Sequence, residues 1–180
     1  MPPQRRVYLE PHNLEWAERA DQIASEVAGL LGPMLVRWEH IGSTSIPGIR
    51  AKPIIDLLPL VTSVEAVDAL RGEFESAGFY WYGEFGLPGR RYVNRDDPVT
   101  GDRVTNVHIY AVEDPEVERH LAFRDYLRAH PDVARDYEAV KVDCAAQHPT
   151  DITGYMDCKD AICKQIESAA VAWYPSTRNR

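Results

Sequence analysis

Apolar residues recur near helical spacing in LEWAERADQIASEVAGLLG, residues 14–32, which predicts an amphipathic helix with Asn13 as N-cap and Gly32-Pro33 as its stop. LVRWEHIG, residues 35–42, follows as a short strand ending in a Gly-Ser turn, and PIIDLLPLV, residues 53–61, is apolar on both faces, as the centre of a covered sheet requires. SVEAVDALRGEFESAGF, residues 63–79, predicts a crossover helix closed by Gly78. YWYGEFG and GRRYVNR are two strand-like pieces joined through Gly86 to Gly89, DDPVTGDR is a polar turn, and VTNVHIYAV returns as a strand with polar residues on one face. From Asp114 onward the pattern is helical, punctuated by Pro131 and His148-Pro149 into three helices. The fold class predicted is α+β: a small mixed β-sheet with flanking helices and a helical C-terminal third.

Length and charge narrow the functional classes. The 180 residues predict a single domain, 1–180, with one substantial core. The formal charge of -8, from 20 Lys and Arg against 28 Asp and Glu, argues against broad binding to nucleic acid or an anionic membrane. A local basic pocket is compatible with it. No apolar stretch approaches membrane-spanning length and the N-terminus lacks a secretion-signal pattern, so a cytoplasmic protein is expected. Cys144, Cys158 and Cys163 form no C-x-x-C pair and are expected to be reduced and structural.

HIGSTSIPGIRAKPIIDLLPLV, residues 40–61, concentrates the candidate chemistry. Gly42, Ser43, Thr44 and Ser45 on a tight turn suit a phosphate cradle, and Asp56 on the following strand could hold the metal that such a phosphate carries. Turn chemistry alone explains Gly42, Pro47 and Gly48, but a carboxylate entering so apolar a strand needs a cation or donors. A Ser43-His108-Asp56 triad is a weaker alternative, because G-S-T-S lacks the second glycine of a nucleophile elbow.

Together with GRRYVNR, TNVHIY and HLAFRDYLRAHPDVARDYEAVK, this segment resembles the GrpB-like (UPF0157) family, whose fold belongs to the nucleotidyltransferase (DNA polymerase β-like) superfamily. The similarity runs from about Tyr8 to Ile166. The resemblance implies ATP or another NTP as substrate, Mg or Mn as cofactor, and an anionic small molecule as second substrate. Gly42 and Ser43 match the superfamily's triphosphate-binding pair and Asp56 its first metal-binding acid; the second acid falls on position 58, which is Leu58. A two-metal site on this strand is therefore not supported. On TNVHIYAV, Asn106, His108 and Tyr110 share one face, so His108 is expected at the superfamily's third acidic position if the strand lies beside Asp56, with Glu39 in reserve. The expected roles are catalysis by Asp56, Ser43 and His108, metal binding by Asp56, Glu39 and His108, and anion binding by Lys52, Arg90, Arg91, Arg124, Arg128 and Lys141. Arg90 and Arg91 point to opposite sides of their strand; Arg124 and Arg128 share a helix face, and so do Tyr155 and Lys159. The plainer reading of Arg124 and Arg128 is salt bridges to Asp125, Asp132 or Asp136. Two functions follow: nucleotidyl transfer or carboxylate activation, or a nucleotide- or anion-binding module that lacks the second acid.

Overall fold

The computed structural model describes residues 6–178 and resolves the chain into two compact units, each drawn from separated segments. The sheet unit comprises Leu14–Gly42 and Ile54–Val117; the helical unit comprises the residues up to Asn13, Ser43–Pro53 and the chain from Glu118 onward.

The sheet unit is built on α1 (Glu15–Leu31) and five strands, β1 (Leu35–Ile41), β2 (Ile55–Val61), β3 (Tyr80–Trp81), β4 (Arg91–Asp96) and β5 (Arg103–Ala111), in spatial order β1-β2-β5-β4-β3. β2 and β5 run parallel and the other pairs antiparallel, which makes the sheet mixed. Burial follows the apolar pattern: Ile55, Leu57, Leu58, Leu60 and Val61 are fully buried, and on β5 Thr105, Val107 and Ile109 are buried while Asn106 and His108 are partly exposed. α1 buries Trp16, Ala20, Ile23, Ala24, Val27 and Leu31 and packs on β1 and β2. Leu14, in helical conformation, occupies the cap position expected of Asn13 and makes no side-chain cap; Glu15 and Glu18 place negative charge in the first turn instead.

The expected crossover helix is broken into α2 (Val64–Val67), a 3-10 turn (Asp68–Leu70) and α3 (Arg71–Ser76). Ser63 caps α2 by accepting a hydrogen bond from the Ala66 amide. At the break Asp68 is gripped by the Arg91 guanidinium, with Nε and Nη2 at 2.5 and 2.8 Å from its two oxygens.

The helical unit contains α4 (Pro115–Ala129, from Glu118), α5 (Pro131–Gln147) and α6 (Ile152–Arg178), matching the three helices expected. Ile46, Ile49, Leu127, Ala134, Tyr137 and Ile166 form its core. The 49–52 segment is strapped to α5 at Arg50, whose amide donates to Glu138 and whose carbonyl accepts from Lys141 Nζ at 2.6 Å. Cys144 on α5 and Cys158 on α6 form a disulfide, which corrects the expectation that these two are reduced, while Cys163 is a free thiol; the packing of two long helices supplies the proximity that no local motif announces. Among the described residues no helix is long and apolar enough to cross a membrane.

Candidate functional sites

In the sheet unit, Asp56 lies at the start of β2, paired with Ile41 on one side and Asn106 on the other. Gly42 follows β1 with φ +72, and a Cβ there would overlap Asp56 Oδ2 and lie 3.0 Å from Asp56 Cβ and Cγ. Glycine is thus required twice, for its left-handed backbone and for the room its missing side chain leaves to the carboxylate. Asp56 Oδ1 accepts from Asn106 Nδ2 at 2.9 Å, and His108 Nε2 lies 3.8 Å from the same oxygen. Asn106 Oδ1 in turn accepts from the Tyr92 hydroxyl at 2.8 Å and Arg103 Nη1 at 3.0 Å, and Arg103 Nε donates to Asp96 at 2.5 Å. Donors on one side of the amide and a carboxylate on the other fix its orientation. Burial pushes the Tyr92 hydroxyl above its ordinary pKa, so it serves as a neutral donor in this network.

β5 lies beside the Asp56 strand, as the expectation for His108 required, and the register pairs Asp56 with Asn106 while His108 reaches the same carboxylate from further along. Leu58 is fully buried. Glu39 pairs across β1 and β2 with Leu58, two positions along from Asp56, and its carboxylate meets Arg37 Nε at 3.3 Å. Among the described residues no group of three or more His, Cys, Asp and Glu side chains is placed to hold a metal ion, so Asp56, Glu39 and His108 are not assembled as one ligand set. One carboxylate and one imidazole do not fit a two-metal centre.

The arginines of the sheet unit are committed to architecture. Arg90, 7% exposed, donates Nη2 to the Phe85 carbonyl at 2.7 Å and Nε to the Glu84 carbonyl at 3.2 Å, and its Nη1 lies 3.4 Å from His108 Nδ1. Arg91 points elsewhere, into its bidentate pair with Asp68, so it is not an anion ligand beside Asp56.

In the helical unit, Ser43–Ser45 form a 3-10 turn in which Thr44 and Ser45 are buried and the Ser43 hydroxyl lies 3.4 Å from that of Tyr137. Arg128 donates Nε and Nη2 to the Ser45 carbonyl at 3.0 and 2.8 Å, bracing the turn from beneath, while Arg124 pairs with the adjacent Asp125 at 2.7 Å. The salt bridge of the plainer reading is made by Arg124; Arg128 comes within 3.8 Å of Asp125, but its hydrogen bonds go to the Ser45 carbonyl.

A cationic cluster lies alongside Tyr137. Lys141, 1% exposed, has Nζ 4.7 Å from the Tyr137 ring centre, and Lys52 and Lys159 place theirs 5.2 and 5.9 Å from the Tyr155 ring centre. Lys159 Nζ also donates to the Cys163 thiol at 3.6 Å. Burial, and next the neighbouring Lys159 charge, lower the Lys141 pKa to about 7; Glu138 and Cys163 oppose the shift and Lys52 adds to it. Burial likewise raises the hydroxyls of Tyr137 and Tyr155 well above their ordinary pKa. Sequence reasoning singled out Ser43, Lys52 and Lys141 one by one; Tyr137 carried no signal, and Asn106 and Tyr92 were visible only as polar positions on strands whose register was unknown.

The family model for GrpB protein matches residues 6–169. The chain belongs to the GrpB family. A GrpB relative from Bacillus subtilis, the UPF0157 protein YqkA, is 41% identical over 98% of this chain and 51% of its own length, so the chain spans about half of that relative. The crystal structure of conserved protein GrpB from Enterococcus faecalis superposes with a TM-score of 0.88 at 42% identity, covering 93% of this chain and 99% of the other. A Mycolicibacterium paratuberculosis protein named dephospho-CoA kinase is 30% identical over 95% of this chain and 47% of its own length.

Proposed function

We propose that this GrpB-family chain binds a nucleoside triphosphate or a closely related polyphosphate-bearing metabolite. The observation that carries the reading is the lysine cluster of the helical unit. Burial and a lysine neighbour hold the Lys141 ammonium near its neutral form, with Lys52 and Lys159 over one tyrosine ring and a serine hydroxyl on the adjoining turn. Gathering like charges raises the free energy of the folded chain, and a polyanion contacting Lys52, Lys159 and Ser43 reverses that cost while Lys141 reinforces it from behind. The Mycolicibacterium relative, about half of whose length this chain matches, is named for a nucleotide-related kinase, which agrees with this ligand class.

The geometry favours a binding role over metal-dependent nucleotidyl transfer or carboxylate activation. That preference rests on the fully buried Leu58 at the second acid position and on Asn106 opposite Asp56. Asp56 then anchors an amide and imidazole network instead of carrying a metal pair.

The test is thermal unfolding with sodium tripolyphosphate, ATP, and ATP with Mg or Mn. A ligand confined to the folded state adds about 2.7 kcal/mol at a hundredfold excess over Kd, and most of that gain should vanish in Lys52→Ala/Lys159→Ala. An unchanged shift in the double variant, or none with any polyphosphate, overturns the reading. Pyrophosphate or AMP release accompanying a metal-dependent shift would establish the transferase in place of the binding module.

A further inference from the structure

Phe85 combines three properties that rarely occur together. It is the only non-glycine residue with positive φ among the described residues, at φ +45, a region that a bulky L-residue disfavours. Its side chain is exposed, with 61% of the residue's surface accessible. It is nonetheless held firmly, because Arg90 donates to its carbonyl and to that of Glu84, and the Gly89 amide donates to the Glu84 carboxylate at 2.9 Å. A loop selected for stability alone places glycine at such a φ, as this loop does at Gly83, Gly86 and Gly89.

One face of the Phe85 ring stacks on Tyr92, with centres 5.2 Å apart and planes 18° apart, and Tyr82, itself 42% exposed, tilts against it at 5.1 Å. The Arg90 guanidinium lies 5.9 Å from the Phe85 centre and 5.0 Å from that of Tyr92. A cation against these rings draws electron density from them, which suits an electron-rich aromatic partner.

We propose that the 83–89 loop presents Phe85, flanked by Tyr82, as a stacking platform for a planar heteroaromatic ring of the nucleobase class. The ring contacts continue through Tyr92 to His108, 5.3 Å from Tyr92, and on to the hydrogen-bonding groups of Asp56 and Asn106. Aromatic surface beside donors and acceptors is the composition that recognises a base. This inference stands on the sheet unit alone and does not depend on the phosphate reading.

The experiment titrates adenosine, which has no phosphate, into the parent, Phe85→Ala, Phe85→Gly and Phe85→Trp proteins by calorimetry. Phe85→Ala and Phe85→Gly are expected to weaken adenosine by about five- to a hundredfold, the range of one base-aromatic stack. Phe85→Trp is expected to retain binding, with its added indole fluorescence quenched by adenosine and not by tripolyphosphate. The glycine variant, whose backbone fits a positive φ, keeps the test valid if Phe85→Ala fails to fold. Parent affinity in Phe85→Gly, or no adenosine binding by the parent at millimolar concentration, overturns the proposal. Adenosine binding without any response to tripolyphosphate leaves the platform standing and removes the phosphate reading; the opposite pattern does the reverse.

Discussion

The polar clusters of the two units are built on opposite electrostatic principles. In the sheet unit opposite or complementary groups pair: Asp56 takes the Asn106 amide, Arg103 takes Asp96, and Arg91 takes Asp68. In the helical unit, by contrast, the charges felt by Lys141 include two further lysines, Lys159 and Lys52, against one carboxylate, Glu138, and the Cys163 thiol. A network of such pairs ties one strand to the next. Neighbouring lysine charges disfavour the ammonium form of Lys141, and an anion that contacts them can offset that effect. The Asn106 amide is one of the donors that a carboxylate entering so apolar a strand requires.

The strongest way to break the comparison is at Gly42. Replacement by alanine forces an L-residue to φ +72 and drives its methyl group into the Asp56 carboxylate, displacing the oxygens that organise Asn106. The expected cost is about 3 kcal/mol, combining left-handed strain with a lost charge-assisted hydrogen bond. Urea unfolding of Gly42→Ala measures it. A loss under about 0.5 kcal/mol, the level of an ordinary surface change, would show that the sheet-face network is dispensable.

The second test sharpens the other side. Lys141 has a folded pKa of about 7 against an ordinary 10.5, so between those values the unfolded chain binds a proton that the folded chain does not. Stability from this group therefore rises with pH through that window, by up to about 1.4 kcal/mol per unit, and is flat below it. Lys141→Met should remove the rise, so that the parent-minus-variant difference changes by about 2 kcal/mol between pH 7 and 8.5. Parallel pH profiles for the two proteins would mean that Lys141 ionises as a surface lysine does.

Much of the fold was legible in the apolar pattern, and much of the chemistry was not. Alternation placed Asn106 and His108 on the exposed face of β5, but the register that set Asn106 opposite Asp56 depends on how two distant strands slide together, and no local pattern encodes that. The shared helix face of Arg124 and Arg128 was readable from their spacing. That Arg128 turns to the Ser45 carbonyl depends on tertiary packing. The disulfide escaped notice for a similar reason, since Cys144 and Cys158 lie 14 positions apart on different helices. Lys141 was legible as a candidate anion-binding cation, but its burial was not, since that follows from the packing of α5 on α6 and the strap at Arg50. The crossover helix is interrupted at Asp68–Leu70, where Asp68 pairs with Arg91 of β4, a partner that no local pattern announces.

The claim that the lysine cluster is the anion site is tested most directly by proton uptake on binding. Calorimetric titration of ATP in buffers of different ionisation enthalpy gives the number of protons taken up at each pH. If a polyphosphate restores the Lys141 ammonium, the parent should take up close to one more proton per ATP than Lys141→Met at about pH 8, and the excess should fade towards pH 6, where Lys141 is already charged. Equal uptake by the two proteins across this range would contradict the account.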